Sequence, residues 1–277
     1  MGKIRLDQLV TERGLVRSRE EAKRRILAGH VRVDGVVVPK PGTPISEEAT
    51  VELVGGDAPY VSRGGLKLER ALDRFDVDVR DSVALDAGAS TGGFTDCLLQ
   101  RGARLVYALD VGYGQLAWKL RTDRRVRVVE RTNVRYVTPD MFDPPTEIVT
   151  ADLAFIGLVL VLPVFAELLP TGGDAILLVK PQFEAGREHV EKGGVVRDPE
   201  VHENVLRRVA VRGADVGLAP LAVTYSPIRG PAGNIEFFIH LRKGARPKRT
   251  LEEAIAATVE EAHLVLSTPG TNDEKET

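Results

Sequence analysis

Ser82-Val83-Ala84-Leu85-Asp86-Ala87-Gly88-Ala89-Ser90-Thr91-Gly92-Gly93-Phe94-Thr95 reads as a short apolar strand that meets an acid, turns through three glycines and enters a helix running to Gln100. Gly102 closes that helix. Four further strands follow, each apolar: Arg104-Leu105-Val106-Tyr107-Ala108-Leu109-Asp110, Arg127-Val128-Val129-Glu130, Glu147-Ile148-Val149-Thr150-Ala151-Asp152 and Asp174-Ala175-Ile176-Leu177-Leu178-Val179-Lys180. Helical patterns separate several of them. Strands alternating with helices imply an α/β, Rossmann-like, doubly wound and mainly parallel sheet, which binds its ligands at the carboxyl ends of the strands. Asp86, Asp110, Asp152 and Lys180 all fall at such ends.

The glycine turn narrows the ligand. A P-loop needs Lys-Ser or Lys-Thr after its last glycine, and here Gly93 is followed by Phe94-Thr95. A dinucleotide fingerprint needs G-x-G-x-x-G, which Gly88, Gly92 and Gly93 match poorly. An acid at the strand end, a tight turn and a second acid 24 residues on suit a nucleoside carrying positive charge, with Asp110 on the ribose hydroxyls. S-adenosylmethionine is such a ligand; a plain strand-to-helix turn is the alternative.

Four residues carry the expected chemistry. Lys67 opens a helix within Ser62-Arg63-Gly64-Gly65-Leu66-Lys67-Leu68, and Asp152 and Lys180 end their strands. Glu236 begins Glu236-Phe237-Phe238-Ile239-His240-Leu241, where Ile235, Phe237, Ile239 and Leu241 share the opposite face. A ribose hydroxyl is a very weak acid, so its methylation benefits from a base within hydrogen-bond reach. We expect Lys180 to be that base and Lys67 to help position the acceptor. Asp152 and Glu236 then orient the two amino groups. Any one of these side chains, taken alone, also reads as a surface charge.

The first sixty residues form a separate expectation. Ile4 to Arg13 carries Leu6, Leu9 and Val10 at helical spacing and ends at Gly14. Ser18-Arg19-Glu20-Glu21 has the form of a capping box for a second helix, with Ala22, Ile26 and Leu27 inward. Val31 to Val38 reads as a hairpin about Asp34-Gly35. Arg19, Lys23, Arg24 and Arg25 lie on the exposed helix face, and with Arg5 and Arg17 they form the expected RNA-contacting set. A helical dimerisation arm with solvated arginines is the bland alternative. Between Val51 and Val61, Gly55, Gly56, Asp57 and Pro59 read as a linker.

Arg5-Leu6-Asp7, Ser18-Arg19-Glu20-Glu21-Ala22 and Gly29-His30-Val31-Arg32-Val33-Asp34-Gly35 resemble the S-four-type RNA-binding domain, over about a fifth of the chain. Asp86 to Thr95, Ala151-Asp152-Leu153 and Val179-Lys180-Pro181-Gln182-Phe183-Glu184 resemble the FtsJ-like 2′-O-ribose methyltransferases, and the whole, to about His263, resembles the TlyA family. That resemblance implies a cytidine 2′-O-methyltransferase of ribosomal RNA, acting on ribosomal subunits with S-adenosylmethionine. It implies Lys67, Asp152, Lys180 and Glu236 as catalytic, and Asp86, Gly88, Ser90, Gly92, Gly93, Phe94, Asp110 and Asn133 as the cofactor pocket. Family members are also labelled haemolysins. Some carry a tryptophan motif in the linker, from which Ala58-Pro59-Tyr60-Val61 departs.

These readings divide the chain into a small N-terminal α+β RNA-binding domain at 1–58, a linker at 59–63, the methyltransferase domain at 64–265 and an acidic tail, expected to be disordered, at 266–277. The chain has 277 residues with a net charge of −2, 43% of them hydrophobic and 28% charged, as expected of a folded soluble protein. Charge is uneven: six basic residues face two acids over 17–32, seven face two over 119–135, five stand unopposed over 242–249, and seven acids face one lysine over 252–277. The basic segments suggest a polyanion surface. Cys97, the only cysteine, rules out an internal disulfide, and with five scattered histidines no zinc site is expected. The longest uncharged apolar run, broken by Pro163, is too short to span a bilayer. A cytoplasmic enzyme without metal or membrane contact is therefore expected. A non-catalytic RNA-binding factor and a membrane-acting haemolysin are the alternatives.

Overall fold

A computed structural model describes residues 2–16, 18–27, 29–53, 59–246 and 250–267. The chain divides into two compact units, Met1–Arg63 and Gly64–Thr277.

In the first unit β1 (Lys3–Arg5) leads directly into α1 (Leu6–Glu12), followed by α2 (Arg19–Leu27), β2 (Val31–Val33), β3 (Val36–Val37), β4 (Pro44–Ser46) and β5 (Val51–Leu53). The first helix begins two residues later than the sequence suggests, because Ile4 pairs with Ile45 in an antiparallel β1–β4 ladder. Gly14 and Gly29 adopt the left-handed conformation after the two helices. Glu21 donates its amide to Ser18 Oγ at 3.2 Å, the expected cap. Asp34 and Gly35 both have positive φ, the form a two-residue hairpin turn requires. β2 also pairs with β5, so Val51–Leu53 is a strand and not the start of the linker; residues 54–58 lie outside the described ones. Leu6, Leu9, Val10, Ala22, Ile26, Val31, Val33 and Val51 make this unit's core.

The second unit runs α3 (Gly64–Phe75), β6 (Val83–Ala87), α4 (Gly93–Gln100), β7 (Leu105–Leu109), α5 (Trp118–Arg121), β8 (Val126–Val129) and β9 (Ile148–Ala151). It continues with α6 (Leu162–Leu168), β10 (Asp174–Val179), α7 (Pro181–Glu184), α8 (Pro199–Asp215), β11 (Leu218–Tyr225), β12 (Phe237–Lys243) and α9 (Leu251–Ser267). Seven strands join in the order β11-β12-β10-β9-β6-β7-β8. β6 to β10 are mutually parallel and β12 is antiparallel to both its neighbours. Every residue of β6 and β10 is buried, which is why these segments read as unbroken apolar runs.

Two consequences position the site. Strand order reverses between β6 and β9, creating the crevice where doubly wound sheets bind ligands. Because β12 runs antiparallel, its amino end lies at the carboxyl edge of the parallel strands. β10 and β12 pair Val179 with Phe237, and that register extended by one residue sets Lys180 opposite Glu236.

α9 extends to Ser267, beyond the expected domain end at 265, and residues 268–277 of the expected tail lie outside the described ones. α9 is tied to α8 through His202 Nδ1 and His263 Nε2, 2.9 Å apart, while His202 Nε2 lies 3.1 Å from the Val196 carbonyl. His202 Nε2 must donate to that carbonyl, so its Nδ1 accepts from His263. Burial, and next the neighbouring His263, push His202 down to about 4 from 6.5. An unfolded chain therefore takes up a proton near pH 6.5 that the folded chain refuses until about pH 4, so stability present above pH 6.5 is lost as pH falls through that window. We expect the urea midpoint to drop between pH 7 and pH 4.5, and His202→Gln to flatten that drop; an equally steep profile in the variant would count against the assignment.

Candidate active site

Gly88 is the hinge of the site. It has φ +83, and a Cβ there would sit 2.6 Å from the Asp152 carbonyl oxygen, closer than any real contact. Only glycine lets the loop after β6 lie directly against the loop after β9. Gly92, with φ +100, precedes α4 in the same left-handed region. Ser90, also at positive φ, donates its amide to Asp110 Oδ2 at 2.8 Å, and Gly112 donates to Asp110 Oδ1 at 2.7 Å. The Asp110 carboxylate thus ties the loops after β6 and β7 together and keeps lone pairs for a ligand hydroxyl.

Asp86 is fully buried within β6. Its Oδ2 accepts from the Thr95 amide at 2.8 Å and the Thr95 hydroxyl at 2.6 Å, while its Oδ1 has no hydrogen-bond partner. Burial, reinforced by the charges of Asp152 and Asp110, raises its carboxyl to about 7. Three acids thus converge electrostatically on one crevice. The orphaned oxygen, the glycine cradle and this acidic cluster fit a nucleoside with a positively charged centre.

Gly93 is buried at the start of α4. The Phe94 ring is buried and stacks on Phe238 at 6.0 Å, so it packs α4 onto the sheet. Asn133 is exposed, and its side-chain oxygen accepts from the Arg135 amide, capping a short turn at Val134–Tyr136.

The four expected catalytic residues form two ion pairs. Lys180 Nζ lies 2.5 Å from Asp152 Oδ1, off hydrogen-bond geometry, and both side chains are mostly buried. Lys67 reaches from the first turn of α3 to donate to Glu236 Oε2 at 2.5 Å, deep in the unit. Each amino group therefore has its own carboxylate.

Beside the first pair lies a feature the sequence reading missed. Phe155 follows Asp152 by three residues, is 92% exposed, and holds a strained φ of +65. Its ring sits 5.4 Å from that of Phe183, whose face lies 5.9 Å from Lys180 Nζ. No periodicity marks a lone loop aromatic, so only the fold reveals it.

The basic segments are more neutral than their sequence counts. In the first unit Asp7, fully buried, is shared by Arg5 at 3.0 Å and Arg19 at 3.2 Å, which hold it down at about 2. Lys23 pairs with Glu20 and Arg25 with Glu21, while exposed Arg24 makes no ion pair among the described residues; Arg17 lies outside them. Over 119–135, Lys119, Arg121 and Arg125 pair with Asp96, Glu130 and Asp123. Arg124, Arg127, Arg131 and Arg135 are exposed and form no ion pair among the described residues, with Arg131 over the Tyr113 ring at 4.3 Å. Over 242–249, Arg242 is spent on Asp174, which corrects the expectation of an unopposed run. Among the described residues no group of three or more His, Cys, Asp or Glu is arranged to hold a metal, and no helix is long and apolar enough to cross a membrane.

Residues 60–243 match the FtsJ-like methyltransferase family, and residues 4–51 match the S4 domain. The chain is 52% identical to YqxC of Bacillus subtilis over 268 residues, 95% of each protein. It is 44% identical over 263 residues to the 16S/23S rRNA (cytidine-2′-O)-methyltransferase TlyA of Mycobacterium tuberculosis, covering 94% of this chain and 98% of that protein. A solved structure carrying a hemolysin name, from Streptococcus thermophilus, matches with a TM-score of 0.77 at 46% identity, over 96% of this chain and 98% of that one.

Proposed function

The chain belongs to the FtsJ-like methyltransferase family, with an S4 domain ahead of the catalytic unit, and from that premise we propose that it methylates the 2′-hydroxyl of a cytidine in ribosomal RNA. The observation that carries this reading is the contact at Gly88, where the glycine cradle lies against the residue that pairs with Lys180. Donor site and candidate base are thereby neighbours.

S-adenosylmethionine, when bound, supplies the methyl group as an electrophile. Gly88, Ser90 and Gly92 shape its cradle, Asp110 offers acceptors for its ribose hydroxyls, and the buried Asp86 adds negative potential for its positive charge. In its neutral amine form, after giving up one ammonium proton to solvent, Lys180 Nζ takes the 2′-hydroxyl proton of the acceptor as that oxygen becomes the nucleophile, a role worth about 10²–10⁴-fold. Asp152 fixes the lysine's position, and the Lys67–Glu236 pair closes the far side of the site. Much of the remaining acceleration is alignment of acceptor and donor.

Phe155 and Phe183 present an aromatic face beside Lys180, suited to stacking the base of the acceptor nucleotide. Phe155→Gly is expected to raise the KM for RNA and lower transfer by about tenfold, from the loss of one stacking contact. Because glycine tolerates φ +65, the unfolding midpoint should be unchanged or higher. Unaltered kinetics in that variant would refute the stacking role.

Arg24 in the S4 domain and Arg124, Arg127, Arg131 and Arg135 in the catalytic unit support a polyanionic partner. The test is tritium transfer from labelled S-adenosylmethionine to separated, unmodified small and large ribosomal subunits. Label in RNA that maps to a cytidine ribose supports the proposal and selects the subunit. Cofactor binding without transfer to either subunit would favour a non-catalytic RNA-binding role.

A further inference from the structure

Lys180 and Asp152 sit on two different loops, so their pairing depends on what fastens those loops to each other. They follow β10 and β9, neighbouring parallel strands whose ladder ends at Leu177 and Ala151, so beyond that point the loops need a fastening of their own. The fastening lies four residues beyond Lys180, at Glu184, the last residue of α7.

Glu184 is 4% exposed, although it is a carboxylate at the end of a four-residue helix. Its Oε1 accepts the amide of Leu158, in the loop after β9 that carries Asp152 and Phe155. Gly157 lies flat against it: a Cβ at 157 would sit 3.1 Å from Glu184 Oε2 and 3.3 Å from the Phe183 carbonyl. From the other side Arg208 of α8 donates to the Glu184 carbonyl and lies 3.3 Å from its Oε2. The Phe155–Phe183 contact joins the same two loops nearer the crevice. Desolvation raises the Glu184 carboxyl, opposed by the Leu158 amide and by Arg208. Burying a carboxylate is costly unless its partners compensate, and here they are the Leu158 amide and Arg208, while the end of α7 itself is closed by the Ala185 amide on the Pro181 carbonyl.

We propose that Glu184 is a positioning residue for the reaction: by binding the Leu158 amide it clamps the loop bearing Asp152 and Phe155 onto the loop bearing Lys180. The proposal rests on the methyltransferase reading and adds to it a residue that touches neither substrate nor cofactor. The hold on Leu158 needs one acceptor oxygen and the side chain's shape, while the ion pair of Oε2 with Arg208 is a separate contact to α8. Glutamine keeps that oxygen and shape and gives up only the Arg208 pair, so it should largely replace glutamate, whereas alanine should not.

The test compares Glu184→Ala and Glu184→Gln with the wild-type full chain. Glu184→Ala should cut kcat for methyl transfer by about 10–100-fold, as expected when positioning at a reacting centre loosens, with the Kd for S-adenosylmethionine within about twofold. Amide hydrogen exchange should quicken in peptides covering 153–160 and stay unchanged in β6 and β7. Glu184→Gln should restore both kcat and protection. Unchanged kcat in the alanine variant would overturn the clamp, as would a loss that follows a general fall in stability and cofactor affinity and is equal in the glutamine variant. Should the wild type itself transfer no methyl group, the functional reading fails separately; unchanged exchange at 153–160 in Glu184→Ala then overturns the clamp on its own.

Discussion

Lys180→Ala should lower methyl transfer to ribosomal RNA by about 10²–10⁴-fold, the range for loss of a positioned general base, while S-adenosylmethionine still binds. The lysine side chain is 14% exposed and pairs with an Asp152 that is itself 22% exposed. Truncation therefore leaves Asp152 partly solvated, and the fold should survive with a modest change in unfolding midpoint. Donor affinity should hold because Ser90 and Gly112 are tied to Asp110 and Gly88 lies against the Asp152 main-chain carbonyl, contacts that do not involve the Lys180 side chain. Rates on isolated subunits and calorimetric donor titration measure the two separately. A variant that transfers methyl groups at the wild-type rate would remove Lys180 from the chemistry. One that loses donor binding in parallel would place it in the cofactor site instead.

The strands from β6 to β10 were legible because a parallel sheet buries both faces, so each strand is an apolar run ending in a polar residue at the functional edge. Asp110, Asp152 and Lys180 lie just beyond their strands for that reason. β11 was not read: Pro220 interrupts its pattern, and the ladder tolerates this because β11 is an edge strand with a register irregularity there. β1, β4 and β5 escaped notice because three-residue strands carry no measurable period. In the site, residue types were readable and partners were not. Lys67 and Glu236 are 169 residues apart and meet only because β12 runs antiparallel. Charge counts overstated the basic surface, since Arg5, Arg19, Arg121 and Arg242 are each committed to an acid. Phe155 and Glu184 act through loop contacts, which no local pattern announces.

The Lys67–Glu236 pair allows stability and chemistry to be separated. Its side chains are 9% and 1% exposed, and the Glu236 carboxylate is packed so closely by Gly230 that a Cβ there would lie 2.5 Å from Oε1. Removing one partner strands a buried charge, so Glu236→Leu or Lys67→Met alone should destabilise by about 3–5 kcal/mol. Both changes together remove both desolvation costs and substitute apolar groups of similar volume, which is often neutral or stabilising. The double variant should therefore recover a urea midpoint near that of the wild type. If the pair closes the acceptor site, as Lys180 opposite Glu236 suggests, the recovered fold should still fail to methylate RNA. A stable double variant with full activity would make the pair a structural device only. Stability regained without activity would assign Lys67 and Glu236 to the reaction independently of any effect on folding, a distinction neither single variant can draw.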